Sequence, residues 1–199
     1  MSGESPLCGI HAATVAPLKD DFRVDHGALK ELIADICSVQ GIEGFLINGH
    51  AGEHAQLSSA EKTQVIKSVC DVVSKSLYIT SGVYSENTLE AAKEAENAER
   101  AGADALLVFP PNGWALGQER KTILAHHRAI SDATELPLLL YQAPVFAGQM
   151  AYDIGTLLEL ATIDSVIGVK EGSWEVARYD ANRRALKAQD PEFIVLGSG

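Results

Sequence analysis

The sequence predicts an α/β fold, a (β/α)8 TIM barrel with the chain ending after about seven strands. Two observations lead to this prediction. Short apolar runs rich in β-branched residues alternate along the chain with longer segments whose apolar residues recur at helical spacing. Glycine and polar residues follow these short runs directly, where the active sites of such barrels lie. The predicted strands are residues 9–15, 44–48, 77–81, 105–109, 136–141, 166–170 and 193–196.

A doubly wound open sheet is the competing α/β architecture, and the chain lacks its main sequence signature. That architecture predicts a glycine-rich phosphate-binding turn after the first strand. The first predicted strand is instead followed by Ala16, Pro17 and Leu18, and neither G-x-G-x-x-G nor G-x-x-x-x-G-K occurs in the sequence. The barrel is therefore the favoured architecture.

Helix-start signals separate the predicted strands. A residue that can cap a helix N-terminus precedes most of the segments with helical spacing. The predicted starts are Asp25, Ser58 or Ser59, Asn87 or Thr88 for a helix to Ala101, Gly117 for a helix to Ala133, Asp153 and Ser173. Gly41, Gly102 and Pro137 mark the turns from helix to strand.

The pattern predicts one barrel domain over residues 1–199, because no linker, low-complexity segment or block of charge interrupts it. The strands recur at a spacing of roughly 30 residues, which indicates one repeated βα unit. A complete barrel also needs an eighth strand and its helices. We therefore expect these residues to be the N-terminal portion of a chain of about 300 residues, with the last βα unit and the C-terminal helices absent.

The composition favours a small-molecule partner and a cytoplasmic location. A formal net charge of −11 offers no electrostatic basis for binding nucleic acid or an anionic membrane surface. No apolar run approaches the ~18 residues of a membrane span, and residues 1–7 do not resemble a secretory leader. Cys8, Cys37 and Cys70 are odd in number, so we expect free buried thiols in a reducing compartment.

Lys170 is the first candidate catalytic residue. Side-chain alternation places Val166, Gly168 and Lys170 on one face of the sixth strand, which would be the barrel interior. Burial lowers the pKa of an amine and leaves it able to attack a carbonyl, as a Schiff-base lysine must. Alternatively, Lys170 pairs with a carboxylate or extends to solvent.

Tyr141 is the second candidate, at the end of the neighbouring fifth strand. Adjacent strands lie about 5 Å apart, so its hydroxyl is expected in the same mouth as Lys170. A phenol beside an amine can move the protons that carbinolamine formation and dehydration require. Alternatively, Tyr141 is a core residue that fills the barrel.

A third cluster, Gly49-His50-Ala51-Gly52-Glu53, follows the second strand. Two glycines that bracket two residues predict a tight turn whose N–H groups converge on an anion, such as the carboxylate of a 2-oxo acid. Glu53 is expected either to orient this loop or to be an ordinary carboxylate at a helix entrance.

The same segment offers a zinc-binding alternative, because residues 50–54 fit the H-x-x-E-H pattern of some zinc peptidases. Two histidines at this spacing bind zinc when both lie on one face of a regular helix. Gly52 and the strand that runs into Gly49 disfavour such a helix, so we expect no metal site.

Four other large side chains have two interpretations each. His126 and His127 are adjacent within a predicted helix and are expected to be surface or packed residues. Trp114 and Trp174 lie in a strand-end loop and at a helix start, where they either line a pocket or pack.

Taken in order on strands two, five and six, the three clusters resemble the dihydrodipicolinate synthase and N-acetylneuraminate lyase family of class I aldolases. The matching residues are 49–53 for the family's glycine–glutamate loop, Tyr141, Pro144 and Gly148 for Y-x-x-P-x-x-x-G, and Gly168, Lys170 and Glu171 for G-x-K-E. The resemblance extends from one end of the chain to the other.

The resemblance implies a Schiff-base-forming lyase or aldolase that acts on a 2-oxo acid, either pyruvate or a pyruvoyl substrate. Lys170 would form the Schiff base, Tyr141 would shuttle protons, and no cofactor or metal would be needed because the iminium is the electron sink. The family commonly forms homotetramers. A family dehydratase, dihydrodipicolinate synthase proper and a non-catalytic 2-oxo-acid-binding barrel are the alternatives.

Three positions depart from the family pattern. The paired threonines of the loop are His50 and Ala51 here, the second tyrosine falls on Pro110-Pro111-Asn112, and the arginine for the second substrate's carboxylate falls on Phe146. These changes disfavour the synthase reaction. They suit a second substrate that carries no carboxylate next to Phe146: either its group at this position is apolar or aromatic, or the substrate binds in another pose. His50 could act as a donor or in acid–base chemistry. The implied substrate-binding residues are Gly49, His50, Ala51, Gly52, Asn112 and Phe146.

Overall fold

A computed structural model describes residues 7–198, which form seven β-strands and six α-helices. The strands are β1 (Ile10–Ala13), β2 (Ile42–Ile47), β3 (Tyr78–Val83), β4 (Ala105–Val108), β5 (Leu138–Gln142), β6 (Val166–Glu171) and β7 (Ile194–Gly197). The helices are α1 (His26–Cys37), α2 (Ser59–Cys70), α3 (Thr88–Ala101), α4 (Arg120–Ser131), α5 (Ile154–Leu160) and α6 (Val176–Gln189). Short 3-10 helices over Asn112–Leu116 and Val145–Met150 follow β4 and β5.

The strands are neighbours in the sheet in chain order, from β1 to β7. The pairs β1–β2, β2–β3, β5–β6 and β6–β7 are parallel. Parallel strands that follow one another and are joined by helices have the connectivity of a (β/α)8 barrel. The predicted α/β barrel fold is confirmed, and each of the seven predicted strands is present within two residues of its expected bounds.

The described residues fall into two compact units. The first unit comprises residues 7–83 and 96–106, and the second comprises residues 84–95 and 107–198. Fully buried residues of the first unit include Ile33, Phe45, Ile47 and Val69. Those of the second unit include Leu138, Leu140, Leu157, Val169 and Leu186. Each core lies between strands and helices, and the single barrel domain over residues 1–199 stays a prediction.

The predicted N-caps of α1, α2, α3 and α5 are confirmed, because each side chain accepts a hydrogen bond from a backbone N–H of the first turn. These caps are Asp25, Ser58, Asn87 and Asp153. Of the two serines considered for α2, Ser58 is the cap, in a reciprocal capping box with Glu61. Of Asn87 and Thr88, Asn87 accepts the bonds, and α3 begins at Thr88.

The predicted starts of α4 and α6 are each wrong by three residues. Gly117 ends the first 3-10 helix, at a φ of +123° that glycine adopts readily, and α4 begins at Arg120. Ser173 does not cap α6, because its hydroxyl donates to Oε2 of Glu171 at 2.9 Å, and the helix begins at Val176.

None of the helices formed by residues 7–198 has the length and apolar character that a membrane crossing requires. The three cysteines are free thiols in the described part of the chain. The prediction that they are buried is wrong for Cys8, which precedes β1 and is exposed. Cys37 and Cys70 are partly buried, and burial raises the pKa of both thiols.

Candidate active site

The carboxyl ends of β5 and β6 bring together the two predicted catalytic residues. Tyr141 and Lys170 are register partners in the parallel pairing of these strands. The Nζ atom of Lys170 lies 6.0 Å from the centroid of the Tyr141 ring. Each residue is the last but one of its strand, because β5 continues to Gln142 and β6 to Glu171.

Lys170 is partly buried, and the burial itself lowers the pKa of its amine. Within residues 84–95 and 107–198, no carboxylate lies within ion-pair distance of its Nζ atom. The alternative in which a carboxylate pairs with Lys170 is therefore not observed in this unit. A half-buried amine without a counter-charge loses its proton more easily than an exposed one, which favours the nucleophilic form.

Tyr141 is buried and packs against two neighbours. Its ring centroid lies 4.8 Å from that of Phe109, and a Cβ atom at Gly172 would lie 3.3 Å from Cε2 of Tyr141. Burial raises the pKa of the Tyr141 hydroxyl, so the phenol carries its proton at neutral pH. A protonated phenol beside the lysine can act as a proton donor.

Gly168 precedes Lys170 by two residues on the same face of β6, where no side chain fits. A Cβ atom there would lie 2.7 Å from the carbonyl oxygen of Ile194 and 2.9 Å from Cδ2 of Leu139. β5 and β7 therefore both close over this position, and the glycine of the G-x-K pattern has a packing role.

Glu171 points away from Lys170 and anchors the end of β6 to α6. Its Oε1 atom accepts a hydrogen bond from Nδ2 of Asn182 at 3.0 Å, and Oε2 accepts one from the Ser173 hydroxyl at 2.9 Å. All three side chains are buried. Because strand alternation turns Glu171 to the helix side, fixing it also fixes the direction of Lys170.

The loop after β2 is held by Asn48, a polar strand-end residue whose bonding partners the sequence pattern did not reveal. Asn48 adopts a left-handed φ of 51°, which asparagine tolerates better than most residues. Its Nδ2 atom donates to the carbonyl of Lys62 and to the hydroxyl of Ser81, both at 3.1 Å. The end of β2 is thereby tied to α2 and β3. An asparagine directly before the first loop glycine was the available signal.

The backbone of this loop uses several of its own N–H groups. The bonds are Gly52 N to Gly49 O at 3.1 Å, Glu53 N to His50 O at 3.2 Å and His54 N to Gly49 O at 3.2 Å. The N–H of Gly52 is therefore used within the loop, and the expectation that N–H groups of this turn converge on an anion stays a prediction for His50 and Ala51. Gly49 and Gly52 are buried, whereas His50 and Ala51 are exposed at the tip.

Residues 50–54 form turns and not a regular helix, as the glycine within the pattern predicts. The rings of His50 and His54 meet edge to face, with centroids 4.6 Å apart. Burial lowers the pKa of His54 to about 3, and repulsion from His50 and Lys62 adds to this. His54 is therefore neutral at physiological pH. Glu53 is exposed at a left-handed φ of 60°, and its orienting role stays a prediction.

Asn112 is exposed in the loop after β4, where Glu86 holds its backbone. The N–H groups of Asn112 and Gly113 donate to the Glu86 carboxylate at 2.8 and 3.1 Å, and the Tyr84 hydroxyl donates to it at 2.7 Å. Burial raises the pKa of Tyr84 to about 12, and the bond to Glu86 adds to this. Burial would raise the pKa of Glu86, but these three donors outweigh it, and the net pKa is lowered.

Tyr84 places a phenol in the loop after β3, which the sequence pattern did not indicate. The second tyrosine of the family pattern falls on Pro110-Pro111-Asn112 and offers no hydroxyl. Tyr84 follows β3 directly and is tied through Glu86 to the loop that contains Asn112. Its position immediately after a strand was the available signal.

The aromatic residues near the strand ends divide into packed and exposed groups. Trp114 is buried, with its ring centroid 5.3 Å from that of His126 and 6.3 Å from that of His127. Both histidines are buried in α4, so of the two interpretations they are packed residues. Phe146 and Trp174 are 81% and 73% exposed in the loops after β5 and β6.

Comparison with known proteins gives a consistent result. Residues 6–198 match the model of the dihydrodipicolinate synthetase family. A 4-hydroxy-tetrahydrodipicolinate synthase of Bdellovibrio bacteriovorus is 29% identical over 190 residues, covering 94% of this chain and 61% of the relative. That of Methanothermobacter thermautotrophicus is 32% identical over 189 residues, covering 94% and 65%.

Among solved structures, a TM-score of 0.89 is obtained with YagE, a prophage protein of Escherichia coli K12 belonging to the dihydrodipicolinic acid synthase family, in complex with pyruvate. The identity is 24%, and the superposition covers 96% of this chain and 63% of YagE. This similarity concerns the fold. The chain spans less than two thirds of the length of the curated relatives it matches.

Proposed function

This chain belongs to the dihydrodipicolinate synthetase family, and from that premise we propose that it is a Schiff-base-forming aldolase or lyase acting on a 2-oxo acid. The proposed substrate is pyruvate or a pyruvoyl compound. One observation carries the proposal: Lys170 presents a partly buried amine, with its pKa lowered by burial, in register with Tyr141. This is the environment that an imine-forming lysine requires.

In the proposed reaction, the neutral amine of Lys170 attacks C2 of the 2-oxo acid and forms a carbon–nitrogen bond. The π pair of the C2 carbonyl moves to its oxygen, and one amine proton passes to that oxygen to give the carbinolamine. The carbinolamine hydroxyl leaves as water with the proton of the Tyr141 phenol, which gives a protonated imine and a phenolate. The positive imine nitrogen is the electron sink for the next step.

Cleavage then breaks the C3–C4 bond of a 4-hydroxy-2-oxo acid. The bonding electron pair moves into the imine to form an enamine, the C4 hydroxyl proton passes to the Tyr141 phenolate, and C4 leaves as an aldehyde. The phenol protonates C3 of the enamine, which gives the protonated imine of pyruvate and a Tyr141 phenolate. Water then adds to C2, the carbon–nitrogen bond breaks to release pyruvate and the neutral amine of Lys170, and the proton set free returns to the Tyr141 phenolate. The reverse sequence forms the same bond.

The proposal assigns substrate binding to six residues. They are Gly49, His50, Ala51, Gly52, Asn112 and Phe146. Because three N–H groups of the β2 loop bond within the loop, the carboxylate would be bound at its exposed tip, at His50 and Ala51. A proton on His50 would then strengthen carboxylate binding.

Reduction with borohydride in the presence of pyruvate tests the proposal. The protein should gain the mass of one reduced pyruvyl group, and peptide mapping should place it on Lys170. Lys170→Arg, which keeps the positive charge, should gain none, whereas Lys30→Arg should be modified like the wild type, because the Lys30 ammonium in α1 is held in an ion pair with Asp71 at 2.7 Å. An unmodified, folded wild-type protein would contradict the proposal.

A second candidate is a non-catalytic protein that binds 2-oxo acids. It is favoured by the β2 loop, where His50 and Ala51 stand in place of the family's threonines. This candidate predicts saturable pyruvate binding by calorimetry without a borohydride adduct. A family dehydratase or synthase would form the adduct, but would not release pyruvate from a 4-hydroxy-2-oxo acid.

The proposal includes a cytoplasmic homo-oligomer, with the tetramer that the family resemblance implies. Sedimentation velocity tests the oligomeric state. A single monomeric species at micromolar concentration would contradict this part of the proposal and leave the chemistry of Lys170 to the adduct experiment.

A further inference from the structure

The loops that follow β4, β5 and β6 expose large apolar side chains. In the described part of the second unit, the large apolar residues with high exposure are Leu89, Leu116, Phe146, Trp174 and Val176. Leu116 follows β4, Phe146 follows β5, and Trp174 and Val176 follow β6. Single exposed apolar residues are ordinary, but a group on the side of the sheet that carries Lys170 marks a binding surface.

Phe146 and Trp174 belong to two loops that are joined by backbone hydrogen bonds. The N–H of Gly172 donates to the carbonyl of Gln142 at 3.0 Å, and the N–H of Val145 donates to the carbonyl of Ser173 at 3.2 Å. Phe146 directly follows Val145, and Trp174 directly follows Ser173, so each aromatic residue is the chain neighbour of one partner in the second hydrogen bond. Two large aromatic side chains therefore flank one hydrogen bond, close in sequence to Tyr141 and Lys170.

Trp174 is held in a conformation that bulky residues rarely adopt. Its φ is +62°, in the left-handed region, and its side chain is 73% exposed. The preceding residue is rigid, because Ser173 is fully buried and bonded to Glu171. A bulky residue held at a left-handed φ is a pointer to function.

Trp174 also borders a cleft of about 300 Å³ in the second unit, together with Val176 and Tyr179. Ser173, Glu175 and Ser198 also line this cleft, so it offers an apolar ligand group contact on the side of Trp174, Val176 and Tyr179. Arg178 lies in the first turn of α6 and lines a second cleft, together with Gln142, Tyr152 and Val145 of the loop after β5.

The three loops contain no positive charge that could bind a second carboxylate. Residues 109–119, 143–153 and 172–177 include no lysine or arginine, whereas Glu119, Asp153 and Glu175 are acidic. A carboxylate on the distal part of a substrate would meet no lysine or arginine within these loops, and Glu175, next to Trp174, would repel it. An uncharged aromatic or apolar group would meet Phe146 and Trp174.

We propose that Phe146 and Trp174 form a subsite for an uncharged, aromatic or apolar substituent at C4 of the 4-hydroxy-2-oxo acid. This inference rests on the proposed Schiff-base function. The substrate class is then a 4-hydroxy-2-oxo acid with an aryl or bulky alkyl group at C4, and the released aldehyde carries that group.

The test compares two substrates that differ at C4, with pyruvate release as the measurement. The probes are 4-hydroxy-2-oxo-4-phenylbutanoate and 4-hydroxy-2-oxoglutarate, which carry a phenyl group and a carboxylate at C4. We expect kcat/KM to favour the phenyl compound by about tenfold or more, the range of selectivity that an apolar pocket achieves. Equal values, or preference for the dicarboxylate, would overturn the proposal.

Two variants and a control locate the selectivity. Phe146→Arg and Trp174→Gly should each lower the phenyl preference about tenfold, and neither should affect folding, because Phe146 is exposed and glycine suits the φ of Trp174. Val39→Ala, an exposed residue that follows α1, should leave the preference unchanged. Both variants should still form the borohydride adduct with pyruvate.

The same measurements separate the possible failures. A missing adduct on the wild type would refute the Schiff-base function itself. An adduct with unchanged selectivity in both variants would overturn the aromatic subsite alone. If, in addition, Phe146→Arg or Trp174→Gly dissociates an oligomer in sedimentation velocity, the surface is a contact between copies of this chain, which also overturns the subsite.

Discussion

At the scale of single residues, burial governs the amine of Lys170. Its pKa falls because desolvation disfavours the ammonium ion, and no carboxylate within residues 84–95 and 107–198 offsets this. The residue at the matching register position, Tyr141, experiences the opposite shift, since burial disfavours its phenolate. The two shifts leave a more easily deprotonated amine beside a protonated phenol, the pair of states from which imine formation begins.

A pH profile of adduct formation follows from the lowered pKa of Lys170. The neutral amine is the nucleophile, so the rate of trapping by cyanoborohydride should rise with pH and reach half of its plateau below the ordinary lysine value of 10.5. Nα-acetyl-lysine with pyruvate serves as the reference amine. A profile that coincides with that of the reference would show that burial does not activate Lys170.

Gly168 gives a second prediction at this scale. Gly168→Ala should lower the free energy of unfolding by about 1–3 kcal/mol, because its Cβ would press on the carbonyl oxygen of Ile194 at 2.7 Å. Gly197→Ala in β7 is the matched control, since no atom lies within 4 Å of its added Cβ, and its effect should stay within about 0.5 kcal/mol. Urea denaturation measures both, and equal effects would contradict the packing role of Gly168.

At the scale of elements, the loop after β4 depends on a carboxylate from the loop after β3. Glu86 accepts hydrogen bonds from the backbone of Asn112 and Gly113 and from the Tyr84 hydroxyl. Hydrogen bonds to a charged acceptor are stronger than neutral ones. The position of Asn112, a proposed substrate-binding residue, is therefore set by a residue 26 positions earlier in the chain.

Glu86→Gln should loosen this loop, because the amide keeps one acceptor oxygen and loses the negative charge. Amide hydrogen exchange at Asn112 and Gly113 should accelerate roughly tenfold or more, as expected for the loss of a charged hydrogen bond. Glu90→Gln is the control, since Glu90 is an exposed acidic residue in the first turn of α3. Unchanged exchange in Glu86→Gln would indicate that other contacts hold the loop.

The elements also show what the sequence could predict. Asp25 and Ser58 cap helices through bonds to residues two or three positions away, so local patterns were sufficient. Ser173 has the same capping chemistry, but the fold places Glu171 within reach of its hydroxyl, and α6 starts later. The positions of Tyr141 and Lys170 at the ends of neighbouring strands predicted that they share one mouth, and the two are register partners. The links of Asn48 and Glu86 join distant segments and leave no local pattern.

At the scale of the whole molecule, chain order and sheet order agree from β1 to β7, and this regularity made the fold predictable. Each βα unit repeats one pattern of apolar strand and amphipathic helix, so an error at one helix start does not move the strands. The polar residues buried among these units are less regular. Three of them are histidines, His54, His126 and His127.

These buried histidines predict how stability depends on pH. Burial lowers the pKa of His126 and His127 to about 4 and that of His54 to about 3, from an ordinary value of 6.5. Between these values and 6.5 the unfolded chain binds more protons than the folded chain, so stability rises with pH in this window and falls on acidification. For His127, the gap between 6.5 and about 4 corresponds to about 3 kcal/mol at most.

The free energy of unfolding in urea should therefore decrease as the pH is lowered from 7 to 4.5. The carboxylates with lowered pKa, such as Glu86 and Asp153, lose their stabilising bonds nearer pH 4 and below, so the early part of the decrease belongs to the histidines. Titration of the imidazole resonances by NMR gives the pKa of each histidine in the folded protein, and so assigns the early part of the decrease to individual histidines. If His127 titrated near 6.5 in the folded protein, or if stability were constant between pH 7 and 5, burial of neutral imidazoles would not be the cause of acid sensitivity.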